Sequence, residues 1–177
     1  MSGGGVVAGG AGAAGSTGAA GGAGSPGGGA RDREHLAYAI AEARAGLAEG
    51  GIPIGAALVV DGEVVAVGRN RRVQKGSPIL HGETDCLENA GRLPASVYAR
   101  ATMVTTLSPC DMCTGAILLY GIPRVIVGEN RTFYGGEDYL RARGVTVDVV
   151  DDEECVALMT GFIAASPELW NEDIGEE

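Results

Sequence analysis

Residues 101–127 read ATMVTTLSPCDMCTGAILLYGIPRVIV, and this stretch decides the fold. Ala101 to Thr106 is a short apolar run rich in β-branched residues, which predicts a buried strand. Cys110 to Tyr120 carries apolar residues through to the helix stop at Gly121, so it predicts a helix. Arg124 to Val127 then predicts a second short strand. Strand, helix, strand in so few residues is a crossover unit, which belongs to a sheet covered by helices.

Working outward, the flanks extend the same pattern. Leu36, Ile40, Ala43 and Leu47 recur at helical spacing from Asp32 to Glu49, and Gly50-Gly51 ends that helix. Gly55 to Val60 and Glu63 to Gly68 flank Asp61-Gly62, a hairpin signature, because Asp-Gly supplies the positive backbone angles of a tight turn. Asn70 to Leu80 is polar and holds Gly76, Ser77 and Pro78, which predicts a loop. His81 to Ala90 predicts a helix ended by Gly91. Beyond the central unit, Glu137 to Arg143 predicts a helix, Val145 to Val150 a strand, and Asp151 to Ala165 a helix with an acidic first turn. Pro167 to Glu177 is a short closing segment with the chain's one tryptophan, Trp170. The sum is an α/β fold of three layers, α/β/α, around a mixed five-stranded sheet.

Composition sets the boundaries. Residues 1–30 hold 14 of the 31 glycines and no charged side chain, too little apolar surface to offset the entropy of ordering, so they predict a disordered Gly/Ala-rich tail. Residues 31–177 suffice for one domain with a single core. Every later apolar run is broken by Asp, Glu, Arg or Gly, and residues 1–30 lack the basic start of a secretory signal, which predicts a soluble, cytoplasmic chain. The net charge is −10, and from Glu137 to Glu177 twelve acidic residues face only Arg141 and Arg143. A phosphate-binding surface needs the opposite sign, so the charge argues against a nucleic-acid partner.

Cys110 and Cys113, three apart at a helix start, present two thiols on one face where the helix dipole favours the anionic sulfur that zinc requires. A lone CxxC fits a redox pair or half a structural zinc site equally well. The other candidates decide. Only His35, His81, Cys86 and Cys155 remain; Cys86 follows His81 by five positions on one helix and points elsewhere, and Cys155 reads as a small buried hydrophobe. His81, Cys110 and Cys113 therefore make three ligands with an open fourth position, the catalytic arrangement of zinc. Glu83, two residues after His81, can take a proton from a zinc-activated water and return it to a ring nitrogen and a leaving amine. The combination H-x-E followed by P-C-x-x-C is the signature of zinc-dependent base deaminases.

From about Ala37 to Glu176 the chain resembles the fungal-type cytosine deaminases of the cytidine-deaminase-like fold. The resemblance runs through Gly50 to Gly55, Gln74 to Ser77, Leu87 to Asn89, Thr105 to Ile117, Tyr120 to Arg124, Val127 to Asn130, Tyr139-Leu140 and Glu172 to Glu176. It implies zinc at His81, Cys110 and Cys113, and Glu83 as proton shuttle. It also implies a pyrimidine held by Asn70, Asp173, Ser108 and the Glu83 backbone, aromatic walls at Phe133 and Trp170, a closing C-terminal segment and a homodimer. The chain departs from the family at Val73, where the fungal enzymes place Phe, at Asn171, where they have an aromatic, and at Asp85, which replaces a small neutral residue. These three predict altered specificity. The leading expectation is hydrolytic deamination of free cytosine to uracil and ammonia. The alternatives are another amino-heterocycle of isoguanine, creatinine or guanine type, a tRNA adenosine deaminase, and a non-catalytic zinc or redox module.

Overall fold

The computed structural model describes residues 29–176; the tail reading for residues 1–28 lies outside them. The helix α1 spans Ala30–Ala48, and it buries Leu36, Ala39, Ile40 and Ala43. Leu47, expected on that stripe, is exposed at the helix end. The hairpin forms as its sequence requires: β1 (Gly55–Val60) and β2 (Glu63–Arg69) are antiparallel, with Asp61 at φ 52° and Gly62 at φ 90° in the turn. Next come α2 (Arg72–Lys75), α3 (Gly82–Ala90), α4 (Ala95–Tyr98) and β3 (Ala101–Leu107). The chain continues through α5 (Asp111–Tyr120), β4 (Arg124–Glu129), α6 (Glu137–Ala142), β5 (Thr146–Val149), α7 (Glu153–Ala165) and α8 (Pro167–Ile174).

The five strands lie in the order β2-β1-β3-β4-β5. β1 is antiparallel to both β2 and β3, whereas β3, β4 and β5 run parallel, so the sheet is mixed. β1 is buried along its whole length because helices cover both faces. Ala56, Leu58 and Val60 pack on one side with Leu87 of α3, Ile117 of α5 and Leu140 of α6. Ala57 and Val59 pack on the other with Leu36 and Ile40 of α1 and Cys155 of α7. A third cluster, including Ile54, Leu107, Phe162 and Trp170, closes the sheet end where β3 and β4 finish. In an α/β sheet that is where ligands bind.

Two details position the site. At Gly68 on β2, an added Cβ would lie 2.2 Å from the backbone nitrogen of Cys86, so α3 sits directly against the strand. The Asp152 carboxylate caps α7 by accepting from the backbone N–H groups of Glu154 (3.0 Å) and Cys155 (3.2 Å), and Glu153 and Glu154 make its first turn acidic.

Three segments differ from the sequence expectation. The 70–80 loop contains the single turn α2, closed by Gly76 in the left-handed region; α4 is another single turn; and the closing segment is the helix α8. Single turns are too short to display a 3.6-residue period. Among the described residues no helix is long and apolar enough to cross a membrane.

Candidate active site

Two helix starts meet at the sheet end. His81 is the N-cap residue of α3 and Cys110 that of α5, both with extended backbone. α3 thus carries His81 and Glu83, and α5 carries Cys110 and Cys113. Among the described residues, His81, Cys110 and Cys113 form a cluster whose ligand atoms all lie within 4.8 Å of one another. His81 Nδ1 is 3.5 Å from Cys110 Sγ. Bonds of about 2.0 Å to nitrogen and about 2.3 Å to sulfur at a tetrahedral ion put these atoms about 3.5 Å apart, so the donors fit zinc in type and spacing.

The electrostatics agree with a site that binds a cation. A hydrogen bond from Cys113, and then one from His81, hold the Cys110 thiol down to about 4, against burial. The same Cys113–Cys110 bond, with burial, drives Cys113 well above its ordinary value. The pair therefore shares one proton, which metal binding displaces. Burial opposes the charge on His81, but Cys110 and Asp173 outweigh it and raise its pKa. Burial, reinforced by Cys110, raises the Glu83 carboxyl, which accepts a 3.1 Å hydrogen bond from the Thr105 hydroxyl on β3. A carboxyl raised in this way holds a proton more readily than a free carboxylate does, which suits a group that takes and returns one.

Beside the triad lies a cavity of about 20 Å³, room for little more than one water. Glu83, Ser108, Asp173 and Ile174 line it together with two aromatic rings. Phe133 and Trp170 meet edge to face, with centroids 5.8 Å apart. Trp170, Asp173 and Ile174 all belong to α8, so that helix forms one wall of the cavity. The Ser108 hydroxyl accepts from the backbone N–H of Gly135 (3.0 Å), which fastens the Phe133 loop to the end of β3.

Asn70, predicted to touch the substrate, is fully buried and occupied by protein on both sides. Its Oδ1 accepts from the backbone N–H of Arg72 (3.0 Å) and its Nδ2 donates to Asp173 Oδ1 (2.9 Å). Arg72 Nη1 donates to the same oxygen at 3.2 Å, and His81 Nε2 stands 3.6 Å from it. Arg72 gave no signal in the sequence, because a single arginine on an irregular segment looks like any surface charge.

The three specificity candidates, Val73, Asp85 and Asn171, lie outside the lining of the cavity beside the triad. Val73 is exposed and faces a separate outer hollow with Ile52 and Leu169. Asn171 lies within α8, where its carbonyl accepts from the backbone N–H groups of Gly175 and Glu176. Asp85 meets neither solvent nor cavity; it is buried against Arg69, Arg71 and Asn89. Spacing alone could not reveal which helix face α3 turns to the sheet edge.

Comparison with known proteins gives these contacts a context. The family model for the cytidine and deoxycytidylate deaminase zinc-binding region matches residues 30–129, which include the whole triad and Glu83. The chain belongs to this family. The deaminase is 53% identical over 146 residues to a cytosine deaminase of Candida albicans, covering 82% of this chain and 97% of that protein. It is 37% identical over 103 residues to a tRNA-specific adenosine deaminase of Streptococcus pyogenes, covering 58% and 65%. A solved structure of guanine deaminase from Nitrosomonas europaea superposes with a TM-score of 0.59 at 25% identity, over 73% of this deaminase and 83% of that chain. The metal of the deaminase site is zinc, as both the family and the donor set require.

Proposed function

We propose that the chain hydrolyses free cytosine to uracil and ammonia. The observation that carries this reading is Glu83, buried and lining the same cavity as His81, Cys110 and Asp173. When bound, zinc supplies the Lewis acidity that makes a water nucleophilic near neutral pH. Glu83 takes one proton from the attacking water and delivers it to the ring nitrogen next to the amino-bearing carbon. It then passes the second to the departing amine, which leaves as ammonia. Asp173 accepts from the amino group, Asn70 holds Asp173 in place through its Nδ2, and Ser108 with the Glu83 backbone binds the pyrimidine carbonyl. Phe133 and Trp170 flank the flat ring, and α8 closes over it.

Cytosine is favoured over other amino-heterocycles by the likeness to the Candida albicans enzyme across nearly the whole of that protein. All four cysteines are free, which suits a reducing compartment, so we place the enzyme in the cytoplasm, recovering uracil from free cytosine. We also propose a homodimer: Ile79, Leu119 and Tyr120 are exposed and line one groove between α3 and α5.

The test is ammonia release by the zinc-loaded protein from cytosine, guanine, isoguanine, creatinine and tRNA. Cytosine should be turned over with the highest kcat/KM. Turnover of a purine or of tRNA with none of cytosine would overturn the proposal.

A further inference from the structure

Asp85 is the least expected charge in the molecule. It lies one turn beyond His81 on α3, and its backbone N–H bonds the His81 carbonyl at 2.8 Å. Its side chain is 2% exposed, and removing a carboxylate from water is costly unless charge-assisted hydrogen bonds replace the lost hydration. Three donors do so at Oδ2: the backbone N–H of Arg69 at 3.1 Å, Arg71 Nε at 3.1 Å and Asn89 Nδ2 at 3.3 Å. The first two flank Asn70. That residue is itself anchored through its backbone N–H to the Ile54 carbonyl at 2.8 Å, and through its side chain to Asp173 of α8.

We infer that Asp85 is a positioning residue for the closing helix: by holding the Arg69 backbone on one side of Asn70 and the Arg71 side chain on the other, it aims the amide that keeps Asp173 over the triad. A continuous set of contacts runs from α3 through the end of β2 to α8, and the buried Asp85 carboxylate anchors it to α3. Packing α3 on the sheet needs only apolar side chains, which Cys86 and Leu87 provide. What the carboxylate adds is direction, because one oxygen shared among three donors fixes where each donor lies. Asn70 then has little freedom left, since its carbonyl oxygen is also committed to the Arg72 backbone. The inference rests on the reading of α8 as the lid of the deaminase site.

The experiment is hydrogen–deuterium exchange of the zinc-loaded full chain, with α7 as the internal reference. The variants are Asp85→Asn, Asn70→Ala and the pair combined. Asp85→Asn keeps the size and an acceptor but loses the charge. It should raise the opening of residues 167–174 about tenfold while leaving α7 unchanged. Asn70→Ala should open the same residues, and the double variant no further, because Asp85 acts through Asn70. Arg71→Met, at a partly exposed partner, should give a smaller rise confined to α8 and covers the case that Asp85→Asn does not fold. Fluorescence of Trp170, the only tryptophan, should show weaker binding of a pyrimidine base in Asp85→Asn, with KM raised and kcat within about twofold. Unchanged exchange in α8, a rise shared by α7, or additive effects in the double variant would each reduce Asp85 to a packing residue and overturn the inference. A wild-type chain that shows the coupling yet deaminates no free base would leave Asp85's role standing and overturn the proposed activity instead.

Discussion

Cys110 and Cys113 divide one proton unequally, and that division is testable. With zinc stripped by a chelator, Cys110 should be the first thiol alkylated by iodoacetamide at pH 6, since it stays ionised down to about 4. Burial pushes Cys86 up to about 12 and raises Cys155 as well, so both should react far more slowly, and restored zinc should protect Cys110. Peptide mass spectrometry reads the order; labelling of Cys86 or Cys155 as fast as Cys110 would contradict the assignment. Glu83 makes a different demand. Glu83→Ala should keep its zinc, because the carboxylate is not among the three clustered ligands, yet lose about 10²–10⁴ in kcat as a general acid–base group does. Metal content and ammonia release on the same sample separate the two properties, and near-normal turnover would remove Glu83 from the chemistry. These residues were legible in the sequence because metal and proton chemistry dictate residue type at short spacing. Asp85 and Arg72 were not, since their meaning comes from partners 14 to 16 and about 100 positions away.

At the scale of elements, the triad exists because α3 and α5 begin at the same sheet end, and α3 reaches it by pressing on β2. Gly68 permits that approach. A methyl group there meets the Cys86 and Asp85 backbone rather than a movable side chain, so Gly68→Ala must shift α3 or bow the strand. Overpacking of this kind costs about 1–3 kcal/mol, and it should lower the urea midpoint with little change in slope. A midpoint equal to wild type would mean that α3 is not held where the structure puts it. The strands and the longer helices were readable because period, caps and turn residues agree: Asp61-Gly62 made the hairpin, and Gly91 and Gly121 ended helices where expected. The single turns α2 and α4 have no period to read. α8 was hidden differently. Its apolar residues seal a cavity rather than extend the main core, and nothing in Pro167 to Gly175 says what lies beneath them.

At the scale of the whole molecule, the fold does not choose between a free base and a base within RNA. The same architecture serves a tRNA-specific adenosine deaminase and a guanine deaminase among the relatives. The surface can choose. Thirteen basic residues stand against 23 acidic ones, and at the mouth of the site Arg72 is already paired with Glu172 and Asp173 while Asp111 stands nearby. A protein that binds RNA gains by releasing counterions from phosphates, which requires free cations along the path of the backbone. Here a polyanion would meet carboxylates and gain no such release. Filter binding should therefore find tRNA retained more weakly than the roughly 10⁻⁴ M of ordinary non-specific binding at physiological salt. Lowering the salt should not rescue it, because repulsion between like charges grows as screening falls. Micromolar retention that strengthens steeply at low salt would mean that a cationic track exists, and the free-base reading would then have to give way.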